Sequence, residues 1–347
     1  VRLKIGVIGA GSFGTALAHV AAYGGHEVVL YGRDEQTVQA INERRQNPRY
    51  LQGVTLHSGI LATTVSSDLT GADLWLLAVP SQFMRETCHQ FAPMCSADTR
   101  VAHVAKGLEV ATLKRLSEVI AEELPDLPPD RLAILSGPSH AEELSRGLPT
   151  TIAVASVAKS CAEFVQDALM NERLRIYTTP DVIGAEIGGA LKNVIALGCG
   201  ISDGLQYGDN ARAALMTRGL VEISRLGVRM GAALSTFSGL TGMGDLVVTC
   251  NSRHSRNWNA GYYIGSGLAV QAALSKVGMA VEGVRTAQAA KALAATYGVD
   301  MPIAVAISEI LFTDKSPLVA VEELMTRSRT HESEELLLES TVSWLYD

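Results

Sequence analysis

Lys192, Lys106 and Asp245 are the residues in this chain best suited to moving a proton beside an anion. Lys192 lies in Glu186-Ile187-Gly188-Gly189-Ala190-Leu191-Lys192-Asn193-Val194-Ile195-Ala196-Leu197, where Ile187, Leu191, Val194 and Ile195 form an apolar stripe at helical spacing. The lysine falls on another face, beside Gly188, Gly189 and Ala196. Small residues around one amine let a second backbone or a ligand exclude water, and desolvation lowers a lysine pKa until it can shuttle a proton. Two adjacent glycines weaken a helix relative to alanine, which implies a gain in packing or function. The alternative is a snorkelling surface lysine beside a tight helix crossing. Lys106, in Val104-Ala105-Lys106-Gly107-Leu108-Glu109, follows a strand-like run. Open α/β sheets bind ligands at the carboxyl ends of their strands. Asp245 closes the turn Gly239-Leu240-Thr241-Gly242-Met243-Gly244 and has the charge to hold and tune a buried lysine.

Two further segments carry anion-binding types. In His254-Ser255-Arg256-Asn257, the planar fork of Arg256 can grip a phosphate while Ser255 and Asn257 bond hydroxyls or phosphate oxygens. The alternative is a solvated helix start with a serine cap. Ser136-Gly137-Pro138-Ser139-His140-Ala141 follows another strand and offers hydroxyls on a rigid turn, or else a plain turn with Ser139 as N-cap.

A third signal opens the chain. In Ile5-Gly6-Val7-Ile8-Gly9-Ala10-Gly11-Ser12-Phe13-Gly14, glycines follow a strand and begin a helix. Gly9 allows the tight turn, Gly11 lets backbone approach a pyrophosphate, and Gly14 lets helix pack on strand. The helix N-terminus adds amide donors and partial positive charge. The second strand ends in Leu30-Tyr31-Gly32-Arg33-Asp34. Arg33 can accept a ribose 2′-phosphate and stack on adenine, which favours NADP(H), while Asp34 leaves NAD(H) possible.

The elements that must position these groups follow from apolar patterning. Leu3–Ile8, Val28–Tyr31, Leu74–Val79, Val101–Val104 and Leu132–Leu135 read as buried strands, with Ile152–Ala155 and Arg175–Tyr177 as later ones. Helical segments such as Thr15–Ala22 and Leu113–Glu123 alternate with them, predicting a doubly wound Rossmann-like α/β domain built on a parallel sheet. After Thr179-Pro180 the spacing becomes helical throughout, so residues 1–180 form a dinucleotide-binding domain and 181–347 a mostly α-helical substrate-binding domain. A Gly-rich interruption falls at Ser238–Leu246, and the tail from Arg329 docks as a last helix.

With 347 residues, two domains are expected. The net charge of −7 argues against a nucleic-acid partner, so an anionic substrate needs a local cluster of cations. The five scattered cysteines include no CxxC pair and indicate neither a metal site nor a disulfide framework. No uninterrupted apolar run predicts a membrane span, and the opening Val1-Arg2-Leu3-Lys4 does not read as a signal peptide.

Taken together, these segments resemble the bacterial-type NAD(P)-dependent glycerol-3-phosphate dehydrogenase family. The resemblance also includes Ala78-Val79-Pro80-Ser81-Gln82, Gly200-Ile201-Ser202-Asp203-Gly204, Gly208-Asp209-Asn210-Ala211, Thr217-Arg218-Gly219-Leu220 and Val281-Glu282-Gly283-Val284, over about residues 3 to 326. It implies reversible reduction of dihydroxyacetone phosphate to sn-glycerol 3-phosphate for glycerophospholipid synthesis in the cytoplasm. Lys192 then looks like the proton donor and acceptor, and Lys106 like the lysine touching cofactor and substrate. Gly137, Ser139, Asp245, Ser255, Arg256 and Asn257 match substrate positions. Ser12, Phe13, Arg33, Tyr50, Ala141, Ala280 and Glu282 match cofactor positions, and Arg256 touches cofactor as well. Gln52 replaces a common proline, and His140 stands where many members have a carbon ring, from which no catalytic role follows. A helical second domain also favours a homodimer. Two rivals remain on residues alone: a β-hydroxyacid dehydrogenase, and a non-catalytic NADP-binding redox sensor.

Overall fold

Strands and helices alternate through the first half of the computed structural model, which describes residues 1–329. The strands are β1 (Lys4–Ile8), β2 (Glu27–Tyr31), β3 (Ile60–Thr63), β4 (Leu74–Leu77), β5 (Arg100–His103), β6 (Leu108–Glu109), β7 (Lys114–Arg115), β8 (Leu132–Ser136), β9 (Thr150–Ala155) and β10 (Leu174–Thr179). Between them lie α1 (Ser12–Tyr23), α2 (Glu35–Arg44), α3 (Met84–Phe91), α4 (Leu116–Glu123), α5 (Ala141–Ser145) and α6 (Lys159–Leu169). Eight strands form one sheet in the order β10-β9-β8-β5-β4-β1-β2-β3. All neighbours are parallel except β8 and β9, so the expected parallel sheet reverses direction at one joint.

Alternation along each strand sends side chains to two cores. Val7, Leu30 and Leu76 meet Leu17 and Ala21 of α1 on one face. Ile8, Val29, Tyr31 and Leu77 meet Met84, Phe91 and Ile120 of α3 and α4 on the other. Both faces are therefore covered, as near-continuous apolar strands require. The sequence pattern missed β3, where Leu61 is exposed, and the small hairpin β6–β7. Leu113, expected to open α4, instead has φ of 60° in the turn before β7.

Helices follow the sheet: α7 (Val182–Gly204), α8 (Gly208–Arg229), α9 (Leu234–Phe237), α10 (Asp245–Asn251), α11 (Arg256–Gly265), α12 (Val270–Val277), α13 (Glu282–Tyr297), α14 (Pro302–Phe312) and α15 (Pro317–Met325). The Gly-rich interruption is a π-helical turn over Leu240–Gly244. Residues 330–347, where the last helix was expected, lie outside the described residues. Pro180 does not itself open α7. Asp181 caps it, accepting from Gly184 N at 2.9 Å, from Ala233 N at 2.9 Å and from Thr236 Oγ1 at 2.6 Å. Such a cap contributes about 1 kcal/mol. α7 is long and apolar enough to cross a bilayer, yet nearly all of it is buried inside the protein. It is the hub of the helical half.

A charged pin fastens α7 to the sheet. Glu186 is buried; its Oε1 lies 3.2 Å from His103 Nε2 and accepts from Ser117 N at 2.7 Å. Its Oε2 accepts from Arg115 Nη1 at 2.7 Å and from Ser117 Oγ at 2.6 Å. Burial alone pushes this carboxyl up, but His103, Arg115 and Ser117 outweigh it and hold the pKa below the usual value. Its contribution to stability is therefore present above the unfolded pKa and is lost as pH falls through the folded one. Glu186→Ala should cost about 3–5 kcal/mol, because Arg115 loses its buried counter-charge. Urea unfolding measures this, and an unchanged midpoint would remove the pin from the account.

Candidate active site

The three groups singled out for proton chemistry meet at one carboxylate. Asp245 is fully buried at the start of α10, and each of its oxygens takes one lysine. Lys192 Nζ donates to Oδ1, and also to Thr249 Oγ1 at 2.7 Å. Lys106 Nζ donates to Oδ2 at 2.8 Å and to the Gly137 carbonyl at 2.8 Å. Each amine thus has one N–H beyond the bonds that position it. Lys192 is only 5% exposed, so it is no surface lysine. Burial pushes its amine down to about 7; Asp245 opposes the fall and Lys106 deepens it.

Local backbone makes this convergence possible. A Cβ on Gly188 would lie 2.6 Å from the Thr241 carbonyl oxygen, so this glycine lets the π-turn and Asp245 press against α7. A Cβ on Gly107 would lie 2.7 Å from Ser81 Oγ, beside the bond from that hydroxyl to Glu282 Oε2 at 2.6 Å. Thr249 was not singled out from sequence, although its position four residues after Asp245 on a helix was the available signal.

The segment expected to bind an anion is tied to Asn193, the residue after Lys192. Asn193 Nδ2 donates to the Lys106 carbonyl at 3.1 Å, and Asn257 Nδ2 donates to Asn193 Oδ1 at 2.9 Å. Asn257 Oδ1 accepts from Gly283 N at 2.9 Å. Asn257, expected to contact a ligand, is therefore buried and engaged in tying α7 to α11 and α13. Ser255 is the cap of α11, accepting from Trp258 N at 3.2 Å, and its own proton remains to donate. Arg256 is exposed and bonded to none of the described residues. Ser139 is not the cap of α5; its hydroxyl donates to the Gly137 carbonyl at 3.0 Å.

The glycine-rich turn has the shape a dinucleotide needs. Gly9 has φ of +118° and a Cβ on Gly14 would overlap the Gly9 carbonyl, whereas a Cβ on Gly11 would meet nothing within 4 Å. No side chain caps α1, which leaves its N-terminal amides facing that open side. Phe13 packs on the core. Ser12 Oγ donates to the Tyr50 carbonyl at 2.6 Å. Buried Asn47, unremarked in the sequence, donates to the Ala10 carbonyl at 3.0 Å and to Thr15 Oγ1 at 2.8 Å, holding the Tyr50 loop against the turn. Ala141 is buried where α5 packs on α1. Arg33 is exposed with its guanidinium 5.5 Å from the Phe83 ring centroid, and Asp34 caps α2 through Thr37 N at 3.1 Å. Ala280 and Glu282 line a recess of about 330 Å³ with Phe83 and Arg285. The Glu282 carboxylate accepts from Ser81 N at 3.1 Å as well as from its hydroxyl, joining α13 to the loop after β4. Open space at Gly11 beside an uncapped helix start fits a bound NAD(P).

Residues 4–162 match the family described as NAD-dependent glycerol-3-phosphate dehydrogenase N-terminus, and residues 181–322 match its C-terminus. The glycerol-3-phosphate dehydrogenase (NAD(P)+) of Bacillus velezensis is 50% identical over 335 residues, covering 96% of this chain and 97% of that protein. The enzyme of the same name from Bacillus subtilis is 48% identical, covering 96% and 97%. A crystal structure of glycerol-3-phosphate dehydrogenase from Coxiella burnetii superposes with a TM-score of 0.89 at 38% identity, covering 94% of this chain and 99% of that one.

The glycines allow a paired test. Gly11→Val should fold normally but bind NADPH at least about tenfold more weakly, because its side chain fills the open side of the turn. Gly14→Ala should instead lose about 1–3 kcal/mol of stability through overpacking. Normal NADPH binding by the Gly11 variant would move the pyrophosphate elsewhere.

Proposed function

Because this chain belongs to the NAD-dependent glycerol-3-phosphate dehydrogenase family, an NAD(P)-linked oxidoreductase family acting on dihydroxyacetone phosphate and glycerol 3-phosphate, we propose that Lys192 is the proton donor and acceptor of that reaction. The observation that carries this reading is the sharing of one buried carboxylate by two amines. Reduction of a ketone needs hydride at carbon and a proton at oxygen. When bound, the nicotinamide supplies the hydride. Lys192 directs its remaining N–H to the ketone oxygen and protonates the alkoxide as it forms. In the reverse direction the neutral amine takes the hydroxyl proton. Asp245 and Thr249 hold the amine for both steps. Lys106 polarises the same oxygen from the sheet side, adding positive charge where negative charge develops.

Arg256, Ser255 Oγ and the start of α11 grip the substrate phosphate, with Gly137 and Ser139 on the facing loop. Binding energy at that remote group orients the reacting carbon. Asn257 gives its remaining amide N–H to the substrate while its other bonds position Asn193 and the start of α13. Residues 1–180 are the dinucleotide-binding domain and 181–347 the substrate-binding domain, each lending a few residues to the other's ligand. Gly9, Gly11, Ser12, Phe13, Gly14, Tyr50, Ala141, Ala280 and Glu282 surround the cofactor. NADPH is preferred over NADH, because Arg33 is exposed just beyond β2 with its guanidinium over the Phe83 ring and no carboxylate partner among the described residues, while Asp34 is committed to its helix cap. A cytoplasmic homodimer belongs to the same reading; light scattering should give twice the chain mass, and the mass of one chain would contradict it.

Lys192→Met should reduce kcat by at least about a hundredfold while NADPH affinity stays nearly intact. Near-normal turnover would rule out the proton role. Arg33→Ala should lower kcat/KM for NADPH by about tenfold or more, the value of a charge-assisted phosphate bond, and leave NADH little changed. Equal losses with both cofactors would contradict the 2′-phosphate contact.

A further inference from the structure

Buried polar atoms in folded proteins nearly always have partners, so an orphan marks a place for a water or a ligand. Among the described residues four buried side-chain atoms lack one: His103 Nδ1, Ser136 Oγ, His140 Nε2 and Ser202 Oγ. Two of these lie within residues 136–140, the segment whose Gly137 carbonyl accepts from Lys106. The His140 ring centroid lies 5.8 Å from that of His254, tilted by 54°. His254 directly precedes Ser255 and Arg256. The two rings therefore join the loop beyond β8 to the start of α11, the two segments read above as gripping the substrate phosphate. Burial first, then Lys192 and Lys106, push the His140 imidazole below its usual pKa, against the pull of Glu142 and Glu143. At neutral pH it is an uncharged ring with one N–H to give.

We propose that His140 is a substrate-binding residue whose Nε2–H donates to the phosphate of the three-carbon substrate. The assignment rests on the reading of this cleft as a triose-phosphate site. The two lysines already supply N–H groups for the ketone oxygen, and contact with His254 sets His140 on the side of Arg256. A neutral donor adds a hydrogen bond to the phosphate without placing a further cation beside the two amines. A carbon ring of similar shape fills the same space but cannot donate. The sequence alone attached no role to this position, because only the coordinates show the nitrogen without a partner.

His140→Phe keeps the ring and removes the nitrogen. KM for dihydroxyacetone phosphate should rise about tenfold or more, with kcat within about threefold and KM for NADPH within about twofold. KM for glycerol 3-phosphate in the oxidative direction should rise by the same factor, because that molecule carries the same phosphate. His140→Gln, which returns an N–H at similar reach, should recover most of the loss. An unchanged KM in an active His140→Phe enzyme overturns the assignment. So does an equal rise for NADPH, a Gln variant as weak as Phe, or a rise in one direction only. A wild-type protein that does not turn over dihydroxyacetone phosphate at all overturns instead the functional reading beneath it.

Discussion

A single carboxylate stands between two ammonium groups inside this protein, and the rest of the structure serves that arrangement. Two like charges in one buried cluster repel by a few kcal/mol at an effective dielectric of about 20, so the pair of amines needs a carboxylate between them. Asp245 offers one oxygen to each. The cluster keeps a net positive charge while Lys192 is protonated, and becomes neutral when it loses its proton. That difference is the one needed at a carbon oxygen that gains negative charge in one direction and loses a proton in the other.

The three members come from distant parts of the chain, so the fold must hold two halves in exact register. Lys106 leaves the carboxyl end of β5, Lys192 sits midway along α7, and Asp245 follows a π-turn pressed on α7. Glu186 pins α7 to the sheet half through Arg115, Ser117 and His103. Ser81 with Glu282, and Asn193 with Lys106, make further bonds across. Within the helical half, Cβ atoms on Gly200 and Gly204 would overlap backbone of α11, and those on Gly261 and Gly265 would overlap backbone of α7. These glycines let the two helices cross at close range, which brings Asn257 to Asn193, the neighbour of Lys192.

Much of this was legible before the structure. The glycine-rich turn, the strand–helix alternation and the change of texture after Thr179 each reflect a local constraint that writes itself into residue spacing. The family pattern marked the lysines and Asp245. What escaped was set by tertiary partners. β3 has only four residues with Leu61 exposed, so no periodicity marked it. The reversal between β8 and β9 leaves the same apolar pattern as a parallel pair. Ser255 proved to be a helix cap while remaining beside the proposed phosphate grip, so the two readings offered for it were not exclusive. Asn257 reads as a ligand group in sequence, and the positions of Asn193 and Gly283, which the sequence does not give, add bonds that leave one of its two amide N–H groups over. Asn47 and Glu186 are polar residues whose burial no local pattern records.

The most direct test of the central claim is the pH dependence of kcat in both directions for the wild-type enzyme. A Lys192 amine lowered to about 7 by burial gives up its proton as pH rises through that value. Reduction of dihydroxyacetone phosphate, which needs the charged form, should therefore fall above pH about 7, while oxidation of glycerol 3-phosphate rises over the same range. Profiles that stay flat in both directions until pH about 10, where an ordinary lysine titrates, would contradict the account.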